Sequence, residues 1–235
     1  MLGWWRAQMR TLTASRGMGF ADRAAAGAEL ASAVRELILP SPLIVLGLPR
    51  GGVVVAYEVA RQLHAPLDVL VVRKIGSPTQ REFAIGAIAT GGVLIREPAA
   101  ALLDSEAREF EKLADAERVE LERRERTYRA GLAPLDLRGA TAILVDDGLA
   151  TGSTMLAAVR AARRLGASMV VAAAPVGSDE AAARLAGEAD HVAVLRIPPM
   201  LHAVGEWYDD FTQVEDEEIR ELLKRAHAAH GSPLR

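Results

Sequence analysis

The sequence predicts an α/β protein with a doubly wound, mainly parallel sheet. Short apolar runs of the length of buried strands alternate along the chain with longer segments in which apolar residues recur at helical spacing. Of the 235 residues, 50% are hydrophobic and 25% are charged, which is typical of a globular domain. A chain of this length can form one domain with a large core, together with a smaller appended lobe.

Each predicted element follows from a local pattern. Continuous aliphatic runs predict buried strands, and they occupy residues 43–48, 68–73, 141–146, 169–174 and 191–196. Apolar residues at intervals of three and four predict helices, which cover residues 21–39, 53–63, 153–166 and 179–187. The apolar segment 84–95 is interrupted by Gly91-Gly92 and predicts a hairpin. Since strands and helices alternate, the sheet should be covered by helices on both faces.

Residues 104–129 are dense in charge, with nine acidic and seven basic residues. Several opposite charges stand four residues apart, as on an exposed helix face. The apolar seam is thin, since it consists of Phe110, Leu113 and Leu121. The pattern predicts a long, mostly solvated helix that is inserted into the core and lies at the rim of a site or at a dimer contact.

These patterns divide the chain into three parts. Residues 1–18 are predicted to be a poorly ordered tail, because they contain three arginines but no continuous apolar segment of the kind found in signal peptides. Residues 19–196 form the core, including the inserted helix. Residues 197–235 form a C-terminal lobe with its own helix.

Bulk properties exclude several classes of protein. No apolar run reaches the 18 or so residues of a membrane span, so neither a membrane partner nor a location other than the cytoplasm is expected. The net charge is −3 and the pI about 6.0, which argues against nucleic acid as a partner. The chain has no cysteine, so disulfides and thiolate chemistry are excluded.

The sequence ILVDDGLATGSTM at residues 143–155 ends a predicted buried strand on two adjacent acids. Ligands of open parallel sheets bind at the carboxyl ends of the strands, which is where Asp146 and Asp147 stand. The small residues after them precede a predicted helix, whose free N–H groups and positive dipole end attract an anion. The loop also supplies three hydroxyl donors: Thr151, Ser153 and Thr154. This segment therefore predicts a phosphate-binding loop.

The two acids need a different partner, because carboxylates repel a phosphate. The vicinal hydroxyls of a ribose suit them, since a charged acceptor makes strong hydrogen bonds. A ribose 5-phosphate unit would therefore satisfy both parts of the motif. Two other phosphate motifs do not fit, because no lysine follows Gly152 as a Walker loop requires, and GLPRGG at 47–52 lacks the spacing of a dinucleotide-binding loop.

The order of strand, acid pair and small hydroxyl-rich loop in ILVDDGLATGST resembles the phosphoribosyl pyrophosphate (PRPP) signature of type I phosphoribosyltransferases. The resemblance implies the α/β core of that family with a small hood, here in the C-terminal lobe, over the acceptor. PRGG, RKIGSP, the charged helix and GEWYDDF together are similar to a standalone branch of predicted phosphoribosyltransferases. The residues implied to bind PRPP are Asp146, Asp147, Gly148, Leu149, Ala150, Thr151, Gly152, Ser153 and Thr154.

Two further stretches match the family in the expected order. LGLPRGGVVVA (46–56) resembles its pyrophosphate loop, and VVRKIGSPTQREFAIGAI (71–88) resembles a strand that ends in an arginine-lysine pair before a mobile loop. Glycines let backbone amides approach a ligand, and arginine binds phosphate in a bidentate way. Arg73 and Lys74 are expected at the sheet edge that carries Asp146. The residues implied to contact pyrophosphate are Arg50, Gly51, Gly52, Arg73 and Lys74.

The acceptor side shows one departure from part of the family. In its enzymes for 6-oxopurines, an aspartate three residues after the second acid handles a purine proton, and this position is Ala150 here. The pattern is instead similar to the adenine type, in which a loop glutamate does that work, and Glu82 is the implied residue. Trp207 and Tyr208 in GEWYDDF either form the small core of the hood or stack on the acceptor base. Adenine-like acceptors are therefore expected over hypoxanthine and guanine.

The resemblance implies displacement of pyrophosphate from PRPP by a ring nitrogen of a nucleobase-like acceptor. The expected catalytic residues are Asp146, Asp147, Lys74 and Glu82. Mg²⁺ is the expected cofactor, bound mainly by substrate oxygens since it prefers oxygen ligands and keeps waters, with Asp146 as the protein group that could join them. A homodimer is expected. Two alternatives stay open: a regulatory protein that binds PRPP without turnover, and an enzyme with another acceptor.

Overall fold

A five-stranded parallel sheet forms the centre of the computed structural model, which describes residues 19–76, 84–96 and 107–230. The strands, in chain order, are β1 (Leu43–Gly47), β2 (Leu67–Val69), β3 (Val72–Gly76), β4 (Ala84–Ala89), β5 (Val93–Arg96), β6 (Thr141–Val145), β7 (Met169–Val176) and β8 (His191–Arg196). The helices are α1 (Arg23–Arg35), α2 (Gly51–Leu63), α3 (Ala107–Tyr128), α4 (Ser153–Arg164), α5 (Asp179–Ala186) and α6 (Asp216–His230).

The strand order of the main sheet is β2-β1-β6-β7-β8, and every neighbouring pair is parallel. Val45 of β1 pairs with Ile143 of β6, which pairs in turn with Val171 of β7. The chain therefore winds outward from β1 to β2 in one direction and from β6 to β7 and β8 in the other. This confirms the predicted doubly wound class. The winding changes direction between β1 and β6, and ligands of such sheets bind in the crevice at this switch point.

Alternate residues of the strands point to opposite faces of the sheet, and each face has its own helices. Val45, Ile143 and Val171 belong to a core that also contains residues of α1, α2 and α6. Ile44 and Leu144 belong to a second core, which contains residues of α4 and α5. All five strand residues are fully buried. Both faces are therefore covered, as the alternation of strands and helices predicts.

The predicted strand 68–73 is divided between two sheets. β2 ends at Val69 in the main sheet, and β3 begins at Val72 in a second, antiparallel sheet of order β3-β4-β5. Between them, the N–H of Val71 donates to the hydroxyl of Thr90 at 2.9 Å. The prediction of one strand is wrong because a continuous apolar run contains no feature that marks a change of sheet.

The predicted hairpin is present as β4 and β5, in which Ala87 pairs with Ile95. Both residues join the core that contains α4, whereas Ile75 and Ile88 of the same small sheet join the core that contains α3. The small sheet therefore lies between α3 and α4 and connects the inserted helix to the rest of the domain.

The inserted helix α3 buries one side and exposes most of the rest. Phe110, Ala114, Leu121 and Tyr128 are each at most 5% exposed, and the helix packs against β3, β4 and α6. The predicted apolar seam is therefore present, although Leu113 is only partly buried and Ala114 and Tyr128 extend the contact. The long charged helix of the prediction thus rests on the core along its whole described length.

A buried ion pair fastens the end of α3 to the main sheet. Asp68 in β2 is fully buried and accepts from Arg129 through two bonds, of 2.9 Å from Nε and 3.0 Å from Nη2. The same carboxylate accepts from the N–H of Val69, and Arg129 also donates to the carbonyl of Ala133. Burial of the two charges is tolerated because each has several hydrogen-bond partners.

The chain after β8 has two parts. Residues 197–215, here called the hood, include a 3₁₀ turn at Val204–Trp207 and bind the chain before α1, since the N–H of Phe20 donates to the carbonyl of Trp207 at 2.7 Å. Helix α6 packs against α2, α3 and β2 and so completes a helix layer of the core. The predicted tail 1–18 and the predicted first residues of the inserted helix, 104–106, lie outside the described residues.

Replacing Asp68 by alanine should destabilise the fold by about 3–5 kcal/mol, because the guanidinium of Arg129 would stay buried without its anion. The measurement is the free energy of unfolding in urea. Glu122→Ala is the matched control, since it opens an exposed pair with Arg126 whose side chains are 51% and 71% exposed, and it should cost less than about 1 kcal/mol. Equal losses in the two variants would contradict the importance of the buried pair.

Candidate functional site

Asp146 and Asp147 follow β6, the central strand of the main sheet. Oδ1 of Asp146 accepts from the N–H of Asp147 at 2.9 Å, and Oδ2 of Asp147 accepts from Nε of Arg23 at 2.8 Å. The second oxygen of each carboxylate has no hydrogen-bond partner among the described residues. Each acid is therefore fixed by one oxygen and can accept a ligand hydroxyl with the other.

The acid pair is costly to ionise. Burial, followed by the negative charge of Asp147, raises the pKa of Asp146 to about 8, although part of the residue stays accessible to solvent. The N–H of Asp147 and the charges of Arg23 and Lys74 act in the opposite direction. The surrounding protein therefore compensates a second negative charge at this site only in part.

The loop after the acids is fastened from the side of α5. The carbonyl of Leu149 accepts from the N–H of Ser178 at 2.9 Å, and that of Ala150 accepts from the Ser178 hydroxyl at 2.7 Å. The carbonyl of Thr151 accepts from Nη1 of Arg184 at 3.2 Å. Three successive carbonyl groups are thus engaged by groups of α5 and its N-cap.

The same loop leaves its donors available. The N–H groups of Ala150, Thr151 and Gly152 have no acceptor within the part of the chain that the structure describes. Gly152 has a φ of 68°, in the left-handed region that favours glycine, and a Cβ there would lie 3.0 Å from Cβ of Ala181. The hydroxyls of Thr151 and Ser153 lie 3.0 Å apart at the start of α4. Unpaired amides, hydroxyls and a helix N-terminus together are chemically suited to an anion.

The predicted pyrophosphate loop follows β1 and lies directly against the acid pair. A Cβ on Gly51 would overlap the carboxylate of Asp147 and lie 2.8 Å from Nε of Arg23. A Cβ on Gly52 would lie 2.8 Å from Cα of Asp146. The two glycines therefore allow the N-terminus of α2 to approach the acids. Since β1 and β6 flank the switch point, the fold brings both predicted loops into one crevice.

Two of the predicted cations lie around this crevice. Arg50 immediately precedes α2, after a cis Pro49–Arg50 peptide bond, and its Nη1 is 3.8 Å from Oε2 of Glu215 in the hood. Lys74 in β3 is exposed, and its charge lowers the pKa of Asp146. Both are available to an anion that binds between them and the acid pair.

Arg73 points in another direction. Its Nε donates to Glu117 of α3 at 2.8 Å. Successive residues of a strand point to opposite faces, so Lys74 and Arg73 diverge within β3. This corrects the expectation that both cations end one parallel strand at the edge that carries Asp146. Contact of Arg73 with pyrophosphate stays a prediction, and it would require Arg73 to exchange Glu117 for that anion.

Tyr208 belongs to the packing of the hood. Its ring centroid lies 5.5 Å from that of Phe20 and 5.0 Å from that of Phe211, and the residue is 7% exposed. Its hydroxyl donates to the carbonyl of Asp147 at 2.6 Å. These contacts correct the expectation that Tyr208 stacks on an acceptor, because its ring is part of the small core of the hood. Trp207 is only partly buried, and its stacking role stays a prediction.

The remaining predicted residues lie at the edges of the site or outside the described residues. A Cβ on Gly148 would overlap the side chain of Val204, so the hood touches the phosphate loop. Thr154 lies in the first turn of α4 and is partly exposed. Glu82 falls in the segment 77–83, outside the described residues, and its role stays a prediction.

Arg23 is the site residue that the sequence interpretation missed. It is the first residue of α1, directly after the N-cap Asp22. A positive side chain in the first turn of a helix is unfavourable for the helix dipole. This unfavourable charge is the one local signal that could have indicated a nearby anion. The anion itself, Asp147, lies 124 residues further along the chain, so no local pattern connects the two residues.

Neither a membrane span nor a protein metal cage is found in the described part of the chain. None of its helices combines the length and the apolar composition that crossing a bilayer requires. Its His, Asp and Glu side chains form no group of three or more that could hold a metal ion.

Comparison with known proteins identifies the family. The family model named "Phosphoribosyl transferase domain" matches residues 21–210. Two proteins of Mycobacterium tuberculosis, from strains CDC 1551 and H37Rv, carry the names "Putative phosphoribosyl transferase MT0597" and "Putative phosphoribosyl transferase Rv0571c". Each is 46% identical to this chain over 209 residues, which is 88% of this chain and 47% of the relative. The chain belongs to the phosphoribosyl transferase domain family, as the acid-pair motif predicts.

Two further comparisons concern a solved structure and a shorter match. The crystal structure of TT1426 from Thermus thermophilus is similar with a TM-score of 0.80 and 44% identity, over 88% of this chain and 99% of that one. An adenine phosphoribosyltransferase of Mycobacterium avium (strain 104) is 45% identical over 58 residues, which is 25% of this chain and 32% of the relative. The chain spans about half the length of the M. tuberculosis relatives that it matches.

The ligand-free protein should lose stability through Asp146 as the pH rises. The pKa of this carboxyl is raised from 3.8 to about 8 in the folded state, so folding favours the protonated form. Its contribution is fully present below about pH 4 and is lost as the pH rises through about 8. Asp146→Asn should therefore flatten the fall in unfolding free energy between about pH 4 and pH 8, the interval between the unfolded and folded pKa values. Asp136→Asn, which changes a side chain that is 44% exposed, should follow the wild-type curve, and an Asp146→Asn curve parallel to wild type would contradict the assignment.

Proposed function

We propose that the protein is a Mg²⁺-dependent phosphoribosyltransferase, in which a ring nitrogen of a nucleobase-like acceptor displaces pyrophosphate from PRPP. The observation that carries this proposal is the acid pair with one open oxygen on each carboxylate, followed at once by a loop with unpaired N–H groups. Carboxylate oxygens suit ribose hydroxyls and loop amides suit a phosphate. Because only two residues separate Asp147 from Ala150, one ribose 5-phosphate can meet both. Membership of the family supports the same function.

The loop after β1 supports the position proposed for the leaving group. The N-terminus of α2 approaches Asp147 closely at Gly51, so its free N–H groups and positive dipole end face the crevice. Arg50 and Lys74 add positive charge around it. A pyrophosphate bound there would lie beside a ribose held by the acids, which is the arrangement that transfer requires.

In the proposed reaction, the bond between C1 of the ribose and the pyrophosphate oxygen breaks, and its electron pair leaves with pyrophosphate. A new bond forms to C1 from the lone pair of the acceptor nitrogen. Positive charge grows on the sugar in an oxocarbenium-like transition state. The carboxylate of Asp147 would supply negative potential beside it, and Asp146 would add to this potential in its ionised form. One such preorganised group can contribute about 3–4 kcal/mol to transition-state stabilisation.

The residues present fit a magnesium ion that arrives with its substrate. The open oxygens of Asp146 and Asp147 are hard ligands of the kind Mg²⁺ prefers. The described side chains form no cage of three or more ligands, so substrate oxygens and water would complete the coordination, with Asp146 as the protein group best suited to join. When bound, Mg²⁺ would neutralise charge on the departing pyrophosphate.

Adenine-like bases are the acceptors that we propose. Ala150 is exposed in the phosphate loop and cannot exchange a proton, so the oxopurine route lacks its usual group. Glu82 would take the acceptor proton instead, and Trp207 would stack on the ring. The match of 58 residues to an adenine phosphoribosyltransferase supports this choice.

We also propose that the protein is a cytoplasmic homodimer, with α3 at the contact between the two copies. On the outer face of α3, Val119 is 67% exposed and offers one apolar residue to a second copy. Sedimentation velocity of the wild type would measure the oligomeric state.

PRPP should bind in the presence of Mg²⁺, and Asp147→Asn should lower kcat/KM by roughly 10²–10³-fold, because it removes negative potential beside the developing cation. Binding is measured by calorimetry, and turnover by pyrophosphate release with a panel of nucleobases. Asp136→Asn, which changes a half-exposed acid paired with Arg138, is the control and should leave both unchanged. No PRPP binding by folded wild type, with or without Mg²⁺, would contradict the function. Binding without turnover of any acceptor would favour a regulatory protein.

On the same panel, Glu82→Gln should lower kcat far more than it changes KM, because proton transfer belongs to the chemical step. Trp207→Ala should mainly raise KM, since the loss of stacking costs roughly 1–3 kcal/mol per base. Adenine should be a better acceptor than hypoxanthine or guanine. If hypoxanthine proves best, or if Glu82→Gln leaves the rate with every base unchanged, the assignment of the acceptor residues is wrong even though PRPP binds.

A further inference from the structure

The side chain of Arg23 connects three elements of the site. Its Nε donates to Oδ2 of Asp147 at 2.8 Å, and its Nη1 donates to the carbonyl of Thr212 in the hood at 2.9 Å. Its Cζ lies 3.8 Å from the ring centroid of Phe211, so the guanidinium stacks on that ring. One side chain of α1 therefore touches the acid pair and the hood at once.

This contact differs from a surface ion pair. Exposed pairs contribute little because water screens them, but the side chains of Arg23 and Asp147 are only 10% and 18% exposed. The second carboxylate, on Asp146, is the next residue, so the loss of Arg23 would leave two adjacent like charges with less compensation. A cation does not stabilise the first turn of α1, because the dipole there is positive. The presence of an arginine at this position is therefore explained by its contacts with Asp147 and the hood.

The hood also fixes Asp147 by a second route. The hydroxyl of Tyr208 donates to the carbonyl of Asp147 at 2.6 Å. The ring of Tyr208 packs against Phe20 and against Phe211, which is the ring on which Arg23 stacks. Both the side chain and the main chain of Asp147 are thus held by groups that belong to the hood or rest on it. A displacement of the hood would act on both contacts.

We propose that Arg23 is a positioning residue, which fixes the carboxylate of Asp147 for ribose binding and links its orientation to the hood. By binding Oδ2, Arg23 leaves Oδ1 as the oxygen that accepts from a ribose hydroxyl. Its forked guanidinium reaches Asp147 and Thr212 together, whereas a lysine offers a single point charge. Arg23 acts through Asp147, so it is not itself catalytic. This role rests on the proposed phosphoribosyltransferase function.

The first test compares PRPP binding by three variants in calorimetry with Mg²⁺. Arg23→Gln should raise the Kd by about 10–100-fold, the size of effect seen when a partner that orients a metal ligand is removed. Arg23→Lys should restore part of the affinity. Arg196→Gln is the matched control, because Arg196 also stacks on an aromatic ring, 4.0 Å from the centroid of Phe20, but forms its ion pair with Glu29. Its Kd should stay close to that of wild type.

The second test is a double-mutant cycle of Arg23→Gln and Asp147→Asn. In PRPP binding, Arg23→Gln should add no further loss once Asp147 is an asparagine, because the arginine acts through that carboxylate. In the ligand-free protein, the effects of the two changes on the free energy of unfolding should likewise be non-additive. A residue that only supports the fold would weaken binding equally in both backgrounds.

Three results would overturn the role of Arg23. These are wild-type affinity in Arg23→Gln, equal losses in Arg23→Gln and Arg196→Gln, and full additivity with Asp147→Asn. Failure of the wild type itself to bind PRPP is a different result, since it would contradict the proposed function and with it any role of Arg23 in ribose binding. The ligand-free cycle would in that case still measure whether the two side chains are coupled.

Discussion

Two carboxylates on adjacent residues, at the end of the central strand, set the electrostatic constraint on which the site depends. Asp146 and Asp147 repel each other, and burial makes the charge of Asp146 costlier still. Compensation comes from Arg23 at the start of α1 and from Lys74 in β3, with the N-terminus of α2 close by. These groups are far from the acids in sequence. The compensation therefore exists only in the folded chain.

The topology of the sheet explains how these groups meet. β1 and β6 are neighbours at the switch point, so the loops that follow them open into one crevice, where Gly51 lies against Asp147. On the far side of the acids, α5 and its N-cap engage the carbonyls of the phosphate loop and leave its N–H groups unpaired. Groups suited to a sugar thus lie between two groups suited to anions. This matches the order of 5-phosphate, ribose and pyrophosphate in PRPP.

The sequence correctly predicts those features whose pattern lies within a short stretch of consecutive residues. The strand, the two acids and the small loop of ILVDDGLATGST can be recognised in twelve consecutive residues, and alternating apolar segments predict the doubly wound sheet. The errors concern contacts between distant residues. Tyr208 packs on Phe20 and binds Asp147 across 61 positions, and Arg73 pairs with Glu117 across 44. No local pattern in the sequence indicates contacts between residues so far apart. Strand alternation, however, could have indicated that the side chains of Arg73 and Lys74 point to opposite faces.

The unfavourable charge arrangement has a consequence for binding, given the proposed function. A carboxyl with a pKa well above its usual value lowers the stability of the ligand-free protein at neutral pH, and the large core must offset this loss. Ribose hydroxyls that donate to the open oxygens would favour the charged form of the acid pair, so binding of the sugar would relieve part of this cost. Since Arg23 and Tyr208 connect Asp147 to the hood, that relief depends on where the hood lies. An acceptor that binds beneath the hood and a sugar that binds the acids would therefore influence each other through the same few residues.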